Sequence, residues 1–294
     1  MAVYTQLSIE DIQAFLQEYA LPLLREHEGI RAGVENTNYA LVLQDDSKLI
    51  LTLFEKRVAE ADLPFFMGLM ELLAGRGVPC PRPLHANDGA IIRRLKNKPA
   101  VLVTFLEGKG VGTIQNMHMS GLGSHMARMH LAGEGYGRMR ANALSLAGWA
   151  ALFDKIKNHA DGIAPGLVTE LEDELRALKA SWPDNLPCGV IHADLFPDNV
   201  FYDGGGQLTG IIDFYFACND FLAYELAICL NAWCFEKTHE FNITKAQLML
   251  RFAACFVFTV MASTSLAPFR CSEARWMNAS DTDGTSLETA IHGF

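Results

Sequence analysis

One stretch of the chain decides its fold, and it reads Val190-Ile-His-Ala-Asp-Leu-Phe-Pro-Asp-Asn-Val-Phe-Tyr-Asp-Gly-Gly-Gly-Gln-Leu-Thr-Gly-Ile-Ile-Asp-Phe214. Two runs of β-branched and aromatic residues within it flank a turn-forming segment that begins at Asp203, and this pattern predicts a β-hairpin. A hairpin folds its end back beside its start. We therefore expect Asp194 and Asn199, which precede the hairpin, to face the same small space as Asp213, which follows it.

The residue types in this stretch suit phosphoryl transfer. That reaction mainly requires a protein to position a nucleotide, hold Mg²⁺ and orient a hydroxyl nucleophile. Asp213 and Asn199 offer the hard oxygen ligands that Mg²⁺ prefers, and Asp194 can accept the proton of an attacking alcohol. The alternative is a polar turn of an ordinary αβ domain, which would carry no chemistry.

The spacing of these residues also resembles a known superfamily. His192-x-Asp194-x-x-x-x-Asn199, followed by Ile-Ile-Asp213-Phe-Tyr, resembles the catalytic loop and metal-binding aspartate of protein-kinase-like enzymes, in their aminoglycoside phosphotransferase and choline kinase branch. The resemblance implies an α+β, two-lobed protein-kinase-like fold. It implies a small N-terminal nucleotide-binding lobe with an antiparallel sheet, at residues 1–106, and a mostly helical C-terminal lobe for catalysis and acceptor binding, at residues 107–294.

The same resemblance implies where ATP binds. A hairpin between Gly29 and Leu43 would cover the phosphates, because its turn residues can donate hydrogen bonds to phosphate oxygens. An extended hinge between the lobes would bind the adenine edge through its backbone. The residues assigned to these contacts are Gly33, Asn36, Thr37, Asn38, Thr104, Phe105 and Leu106.

One position departs from the superfamily pattern. A strand predicted over residues 48–56 would commonly carry a lysine that holds the α and β phosphates, and the alternation of the strand places that lysine near Thr52. Either Lys48 or Lys56 substitutes for it, or backbone and threonine contacts replace it. The sequence leaves these alternatives open, and Thr52 is kept as a candidate nucleotide contact.

Three further motifs narrow the resemblance: Gly33-Val-Glu-Asn-Thr-Asn-Tyr39, Leu51-Thr-Leu-Phe-Glu55 and Leu230-Asn-Ala-Trp-Cys234. Together with the catalytic loop, over about residues 1–245, they resemble the bacterial homoserine kinase family that has the aminoglycoside phosphotransferase-like fold. The resemblance implies ATP- and Mg²⁺-dependent phosphorylation of the side-chain hydroxyl of L-homoserine, in threonine biosynthesis. The candidate acceptor contacts are Asp198, Glu225 and Glu236 for the ammonium group and Asn231 or Trp233 for the carboxylate.

Two other functions remain compatible with these motifs. The first is a related kinase whose acceptor is another amino alcohol, an aminoglycoside or a methylthioribose-like sugar, because acceptor pockets vary on a shared scaffold. The second is a kinase-like binding protein without catalysis, which the missing strand lysine would suit. A panel of hydroxyl acceptors would discriminate between them.

Composition sets limits on compartment and partners. The chain has 294 residues with a net charge of −10, and this charge argues against a nucleic-acid surface. Its first residues have neither a basic nor an apolar segment that would direct export, so we expect a cytoplasmic protein without a membrane partner. Its seven cysteines are irregularly spaced and are expected to be buried thiols. We expect small-molecule partners, ATP and an amino-acid alcohol, and a monomer or weak homodimer.

The end of the chain is atypical. From about Gln247 it departs from the family pattern, and residues 248–261 are nearly uncharged. The uncharged run is shorter than the ~20 residues needed to cross a bilayer, so we expect a helix buried in the protein core. Residues 265–294 have a linker-like composition that predicts disorder, from divergence or a shifted reading frame.

Overall fold

The computed structural model describes residues 3–31, 35–55 and 58–264, with side chains as far as residue 254. Its amino-terminal part holds a five-stranded antiparallel sheet. In chain order the strands are β1 (Leu24–Ile30), β2 (Thr37–Leu43), β3 (Lys48–Leu53), β4 (Arg93–Leu95) and β5 (Lys98–Thr104), and their order in the sheet is β1-β2-β3-β5-β4.

Two helices cover opposite faces of this sheet. The first, α1 (Ile9–Leu16), begins with a capping box in which the side chains of Ser8 and Asp11 each accept a hydrogen bond from the other's backbone N–H. Its apolar side chains pack with every second residue of β3, as the period of a strand requires. The second, α2 (Leu63–Gly75), packs on the other face, which faces the helical part of the chain.

The remainder of the chain is mostly helical. Its helices are α3 (Asn116–Ala132), α4 (Leu146–Ile156), α5 (Leu167–Ser181), α6 (Leu222–Trp233) and α7 (Ile243–Thr264). Two small antiparallel ladders pair β6 (Cys188–Ile191) with β9 (Cys218–Phe221), and β7 (Val200–Tyr202) with β8 (Leu208–Ile211). The α+β class is confirmed, and the predicted hairpin is present as β7 and β8.

Helix α7 packs closely on α3, because a glycine lies at their crossing. A Cβ atom added at Gly123 would lie 2.3 Å from the backbone oxygen of Met249, on α7. Met249 itself is fully buried. The first part of the uncharged run thus lies on a helix that packs on α3, whereas the side chains of residues 255–261 lie outside the described ones. No helix within the described residues is long and apolar enough to span a membrane. The predicted disorder of residues 265–294 lies outside the described residues.

The α3–α7 crossing gives a direct stability prediction. In an open helix position, Gly→Ala stabilises a protein by up to about 1 kcal/mol. At Gly123 the added methyl group would push the two helices apart, so we expect Gly123→Ala to lower the midpoint of thermal unfolding. Gly75→Ala, on α2, is the matched control, since no atom lies within 4 Å of its added Cβ. Equal midpoints for the two variants would contradict this close packing.

The largest hydrophobic cluster joins both parts of the fold. It contains Phe66 of α2 and Val103 of β5 together with Met126 of α3, Trp233 of α6 and Met249 of α7. The sheet therefore contributes one face to the same core that supports the helices. The hairpin β7–β8 also packs into this cluster, so it is fixed between the two parts.

Candidate active site

The structure brings together Asp194, Asn199 and Asp213, the three residues expected to share one space. The backbone N–H of Ile212 donates to the Asn199 carbonyl at 2.9 Å, and the His192 ring Nε2 donates to the Ile212 carbonyl at 2.9 Å. These bonds join the two ends of the hairpin directly before Asp213. The Asn199 side-chain amide also donates to Oδ2 of Asp194 at 2.8 Å.

The loop that carries Asp194 is anchored by a buried carboxylate from α6. Glu225 is fully buried, and its two side-chain oxygens accept the backbone N–H groups of His192, at 2.9 Å, and Ala193, at 2.8 Å. Ala193 has a φ of 62°, a left-handed conformation that costs about 1–2 kcal/mol in a residue with a Cβ. The bonds to Glu225 therefore hold a strained residue directly before Asp194.

Glu225 has a further partner, His130 of α3, whose Nε2 lies 3.0 Å from the carboxylate. Burial alone would raise the pKa of Glu225, but hydrogen bonds from His130 and from the loop keep this pKa below its usual range. Glu225 was a candidate for binding the acceptor ammonium group. Its position beneath the loop, with no exposed surface, gives it an anchoring role instead.

We expect Glu225→Gln to destabilise the protein and to lower its activity. A glutamine amide has one acceptor oxygen, so one of the two loop N–H groups would face an NH₂ group. Breaking such a buried network typically costs about 3–5 kcal/mol. Chemical denaturation and kcat measured on the same preparation would test this, with the exposed Glu172→Gln on α5 as the control. Wild-type stability and kcat in Glu225→Gln would contradict the anchoring role.

The surroundings of Asp194 and Asp213 disfavour the charged form of both carboxyl groups. Burial, followed by the charge of Asp213, raises the pKa of Asp194 to about 7, although the hydrogen bond from Asn199 opposes this rise. Burial and the charge of Glu35 raise the pKa of Asp213 to about 6. One carboxylate oxygen of Asp213 is buried and has no hydrogen-bond partner among the described residues. A cation bound beside buried carboxylates such as these stabilises their charged form.

The donor set fits Mg²⁺ better than a metal held entirely by protein. Within the described ranges there is no group of three or more His, Cys, Asp or Glu side chains that could enclose a metal. Mg²⁺ in proteins is commonly held by one or two side chains, with waters and nucleotide phosphates completing its octahedron. Asp213, with its unpartnered oxygen, and the neighbouring Asn199 are residues of that kind.

The hairpin expected to cover the phosphates is only partly available for binding. Thr37 is fully buried, and its hydroxyl accepts the backbone N–H groups of Tyr4 and Thr5 and donates to Glu55 at 2.6 Å. It therefore ties the amino-terminal segment to the sheet, and its side chain is not free for the expected phosphate contact. Asn36, by contrast, is buried with a side-chain oxygen that has no partner within the described part of the chain.

The structure shows where two candidates to replace the missing strand lysine, Lys48 and Thr52, lie. The Lys48 ammonium group pairs with Glu107 at 2.9 Å and lies over the Phe105 ring, so it belongs to the hinge. Thr52 is buried, and its hydroxyl donates to the side-chain oxygen of Asn38 at 2.7 Å. Gly33 and Lys56 lie outside the described residues.

The hinge offers fewer backbone groups than expected. The Thr104 N–H donates to the Arg82 carbonyl at 3.0 Å, and the Phe105 N–H donates to the Lys48 carbonyl. The donors of Thr104 and Phe105 are therefore occupied within the protein. Leu106 has no backbone hydrogen bond to any residue that the structure describes, which makes it the best placed of the three for an adenine edge.

The proposed acceptor contacts fall in different environments. Trp233 is fully buried, and its indole N–H donates to the Leu195 carbonyl at 2.6 Å, so it supports the loop from below and cannot line a pocket. Glu236 accepts hydrogen bonds from Lys245 and Asn242, both at 2.6 Å. Its charge is thus already paired.

Asp198 and Asn231 are the exposed members of that set. Asn231 lies on α6 and donates to the carbonyl of Ala227, one turn earlier. Asp198 lies on the loop itself, four residues after Asp194, and its charge contributes to the raised pKa of both Asp194 and Asp213. Asp198 is therefore the candidate closest to the reacting centre.

Some supporting residues could not be singled out from the sequence. His130 supports the loop through its bond to Glu225, a partner that lies 95 residues later. The carboxylate of Asp220, two residues before α6, accepts from the side chain of Asn142, 78 residues earlier. No local pattern signals either contact, because each is formed between distant segments.

Comparison with known proteins gives a consistent result. Residues 26–253 match the phosphotransferase enzyme family. The chain is 54% identical over 250 residues to the homoserine kinase of Rhodospirillum rubrum, and 52% identical over 250 residues to that of Rhizobium etli strain CIAT 652. Each match covers 85% of this chain and 77% of the relative.

Solved structures share the fold at lower identity. A spectinomycin phosphotransferase in complex with ADP and spectinomycin has a TM-score of 0.63 at 13% identity, covering 85% of this chain and 80% of that one. An amicoumacin kinase in complex with AMP-PNP and Ca²⁺ has a TM-score of 0.65 at 15% identity, covering 82% of this chain and 76% of that one.

Proposed function

Since the chain belongs to the phosphotransferase enzyme family, we propose that it is a homoserine kinase, which transfers the γ-phosphoryl group of ATP to the side-chain hydroxyl of L-homoserine. The observation that carries this proposal is the identity of 52–54% to homoserine kinases over 85% of the chain. The site supports it, because a base, an amide and a second carboxylate converge there. The product, O-phospho-L-homoserine, would feed threonine biosynthesis.

Asp194 is the base in this proposal. Its carboxylate is held by the Asn199 amide at 2.8 Å and by the anchored loop, so it is fixed before the acceptor arrives. Burial and the charge of Asp213 raise its pKa in the metal-free protein, which makes it a better proton acceptor than an ordinary carboxylate. The acceptor hydroxyl would give its proton to Asp194 as it attacks the γ-phosphorus, in line with the leaving ADP.

Asp213 and Asn199 would hold Mg²⁺. When bound, the ion neutralises the charge on the β and γ phosphates and keeps them in line with the acceptor. The pKa values of both aspartates, which burial and neighbouring carboxylate charges raise, would fall in the presence of this positive charge. Asn36, whose side-chain NH₂ group can donate to a phosphate oxygen, and Leu106, in the hinge, are the proposed contacts on the nucleotide side.

Asp198 is proposed to bind the ammonium group of the acceptor. It is exposed, whereas Glu225 is buried and Glu236 is already paired with Lys245. Its place on the catalytic loop would fix the short amino acid with its hydroxyl near Asp194. An amino group in this position also distinguishes homoserine from a simple alcohol.

A panel of acceptors tests the function. Purified protein would be incubated with ATP, Mg²⁺ and, separately, L-homoserine, L-serine, L-threonine, ethanolamine, choline, an aminoglycoside and methylthioribose. ADP release would be followed, and products would be identified by phosphorus NMR. We expect kcat/KM to be highest for L-homoserine, and Asp194→Asn serves to correct for contaminating ATPase. Preference for another acceptor would reassign the substrate, and no turnover with any acceptor would favour a non-catalytic binding protein.

A further inference from the structure

The segment from Asp213 to Ala217 is held from two sides by residues that do not reach the reacting atoms. It leaves the hairpin at Asp213, makes one turn of 3-10 helix over Phe214–Phe216 and then joins β9. Asp213 has a φ of 65°, an uncommon conformation for a residue other than glycine. The direction of its carboxylate therefore depends on what holds the next four residues.

Tyr215 attaches this segment to the sheet. Its phenol interacts with the side chain of Thr52, whose hydroxyl donates to Asn38 of β2 at 2.7 Å. The Tyr215 ring also packs edge-on against Phe54, with ring centroids 5.0 Å apart, and against Phe66 of α2 at 5.7 Å. Thr52, the strand position where the superfamily pattern leads one to expect a lysine, thus lies beside the segment that follows Asp213.

Arg140 attaches the same segment to α2. It lies in the connection between α3 and α4, and its Nη1 donates to the carbonyl of Ala217 at 3.1 Å and to that of Phe216 at 3.4 Å. Its Nε donates to the carboxylate of Asp62, directly before α2, at 2.8 Å. The guanidinium lies over the Phe66 ring, 4.9 Å from its centroid, so both attachments meet at Phe66.

We propose that Tyr215 and Arg140 form a two-sided clamp that aims the Asp213 carboxylate into the active site. Tyr215 links residues 213–217 to the strands proposed to cover the nucleotide, through Thr52. Arg140 links the same residues to the start of α2, through Asp62. Both are positioning residues, because neither touches the reacting atoms. The clamp rests on the proposed phosphoryl transfer, since Asp213 is the residue that it serves.

The contacts of Arg140 and Tyr215 indicate that these residues orient the Asp213 carboxylate and do not merely fill space. A packing residue needs shape and apolar surface, whereas Arg140 uses directed N–H donors on two successive carbonyls and one carboxylate. Tyr215 likewise adds a hydroxyl to a ring that packs between phenylalanines. An error of about 1 Å in the position of a catalytic group can cost about 10²-fold in rate, so such restraints matter for turnover.

The decisive measurement is how much Mg²⁺ strengthens the binding of AMP-PNP. Calorimetric titrations with and without Mg²⁺ would give this gain for the wild type, Tyr215→Phe, Arg140→Lys and Arg140→Met. We expect Tyr215→Phe, which removes only a hydroxyl group, to reduce the gain by about 3- to 10-fold. Arg140→Met should reduce it by about 10-fold or more and Arg140→Lys by less, while affinity without Mg²⁺ stays within about 2-fold in every variant.

Two matched controls separate aiming from stability. Tyr136→Phe removes a tyrosine hydroxyl that donates to the Phe65 carbonyl at 2.6 Å, on the same helix α2 but away from residues 213–217. Arg138→Met removes an exposed arginine two positions before Arg140. Both controls should keep the wild-type gain from Mg²⁺. If a control loses it as strongly as the clamp variants do, or if the clamp variants keep it, the clamp is overturned.

The clamp and the proposed function can fail separately. A wild-type protein that gains affinity from Mg²⁺ but does not phosphorylate L-homoserine would overturn the substrate and leave the clamp to be decided by its variants. A wild-type protein whose AMP-PNP binding gains nothing from Mg²⁺ would overturn both. Kinetics gives a second readout: in the clamp variants kcat should fall more than KM for L-homoserine rises, and the double variant should lose less than the product of the single losses.

Discussion

Asp194→Asn should lower kcat by about 10²- to 10⁴-fold, which is the usual contribution of a positioned general base. The variant keeps the shape of the side chain and can still meet the Asn199 amide, which donates to Asp194 at 2.8 Å. It loses the capacity to accept a proton from the acceptor hydroxyl. The loss should therefore appear in kcat, measured at saturating ATP and L-homoserine.

Nucleotide binding should survive the same substitution. Removing the Asp194 charge relieves repulsion with Asp213, so affinity for Mg²⁺·AMP-PNP should stay within about 3-fold of the wild type or improve slightly. Asp184→Asn, at an exposed position before β6, is the control for a general effect of removing a carboxylate. A variant at position 194 that turned over at the wild-type rate would exclude Asp194 as the base.

Asp213→Asn should weaken the binding of Mg²⁺·AMP-PNP by about 10- to 100-fold, the scale on which metal sites respond to the loss of a supporting group. Binding of AMP-PNP alone should change little, because Asp213 contacts the nucleotide only through the ion in the proposed site. Asparagine is chosen because it tolerates the left-handed φ of 65° at this position. A strained alanine would mix a conformational effect with the loss of charge.

The same titration series provides the control. Asp203→Asn alters a carboxylate in the hairpin turn, where it accepts from Gly205 and Gln207 and lies outside the site. It is expected to keep the gain in affinity from Mg²⁺. If Asp213→Asn also kept that gain, the ion would be held elsewhere, and the proposed division of roles between the two aspartates would be wrong.

Local pattern was enough to predict the elements that carry the site. Ser8 and Asp11 mark the start of α1, and the glycines after Asp203 mark the turn of the β7–β8 hairpin. The hairpin in turn places Asn199 beside Asp213 through one backbone hydrogen bond. Each of these inferences depends on residues close together in sequence, where turn and capping chemistry dominate.

Side-chain partners from distant segments could not be predicted in the same way. Thr37 lies in a polar turn that suggested a phosphate contact, but its hydroxyl binds the backbone of residues 4 and 5. Trp233 lies in a motif that suggested the acceptor pocket, but the helix turns it inward beneath the loop. For both Thr37 and Trp233, the role depends on the direction of the side chain in the packed structure. Residue spacing within one segment does not determine that direction.

The hydrophobic cluster that runs from Phe66 through Val103 to Trp233 has a consequence for cooperativity. Lobes joined only by a hinge can melt one after the other, whereas these two share buried surface that neither could cover alone. Calorimetry should therefore show a single transition whose van't Hoff and calorimetric enthalpies agree. Movement of the sheet relative to the helical part would likewise proceed by small sliding of α2 across the shared core, since wide rotation would expose its buried phenylalanines to water.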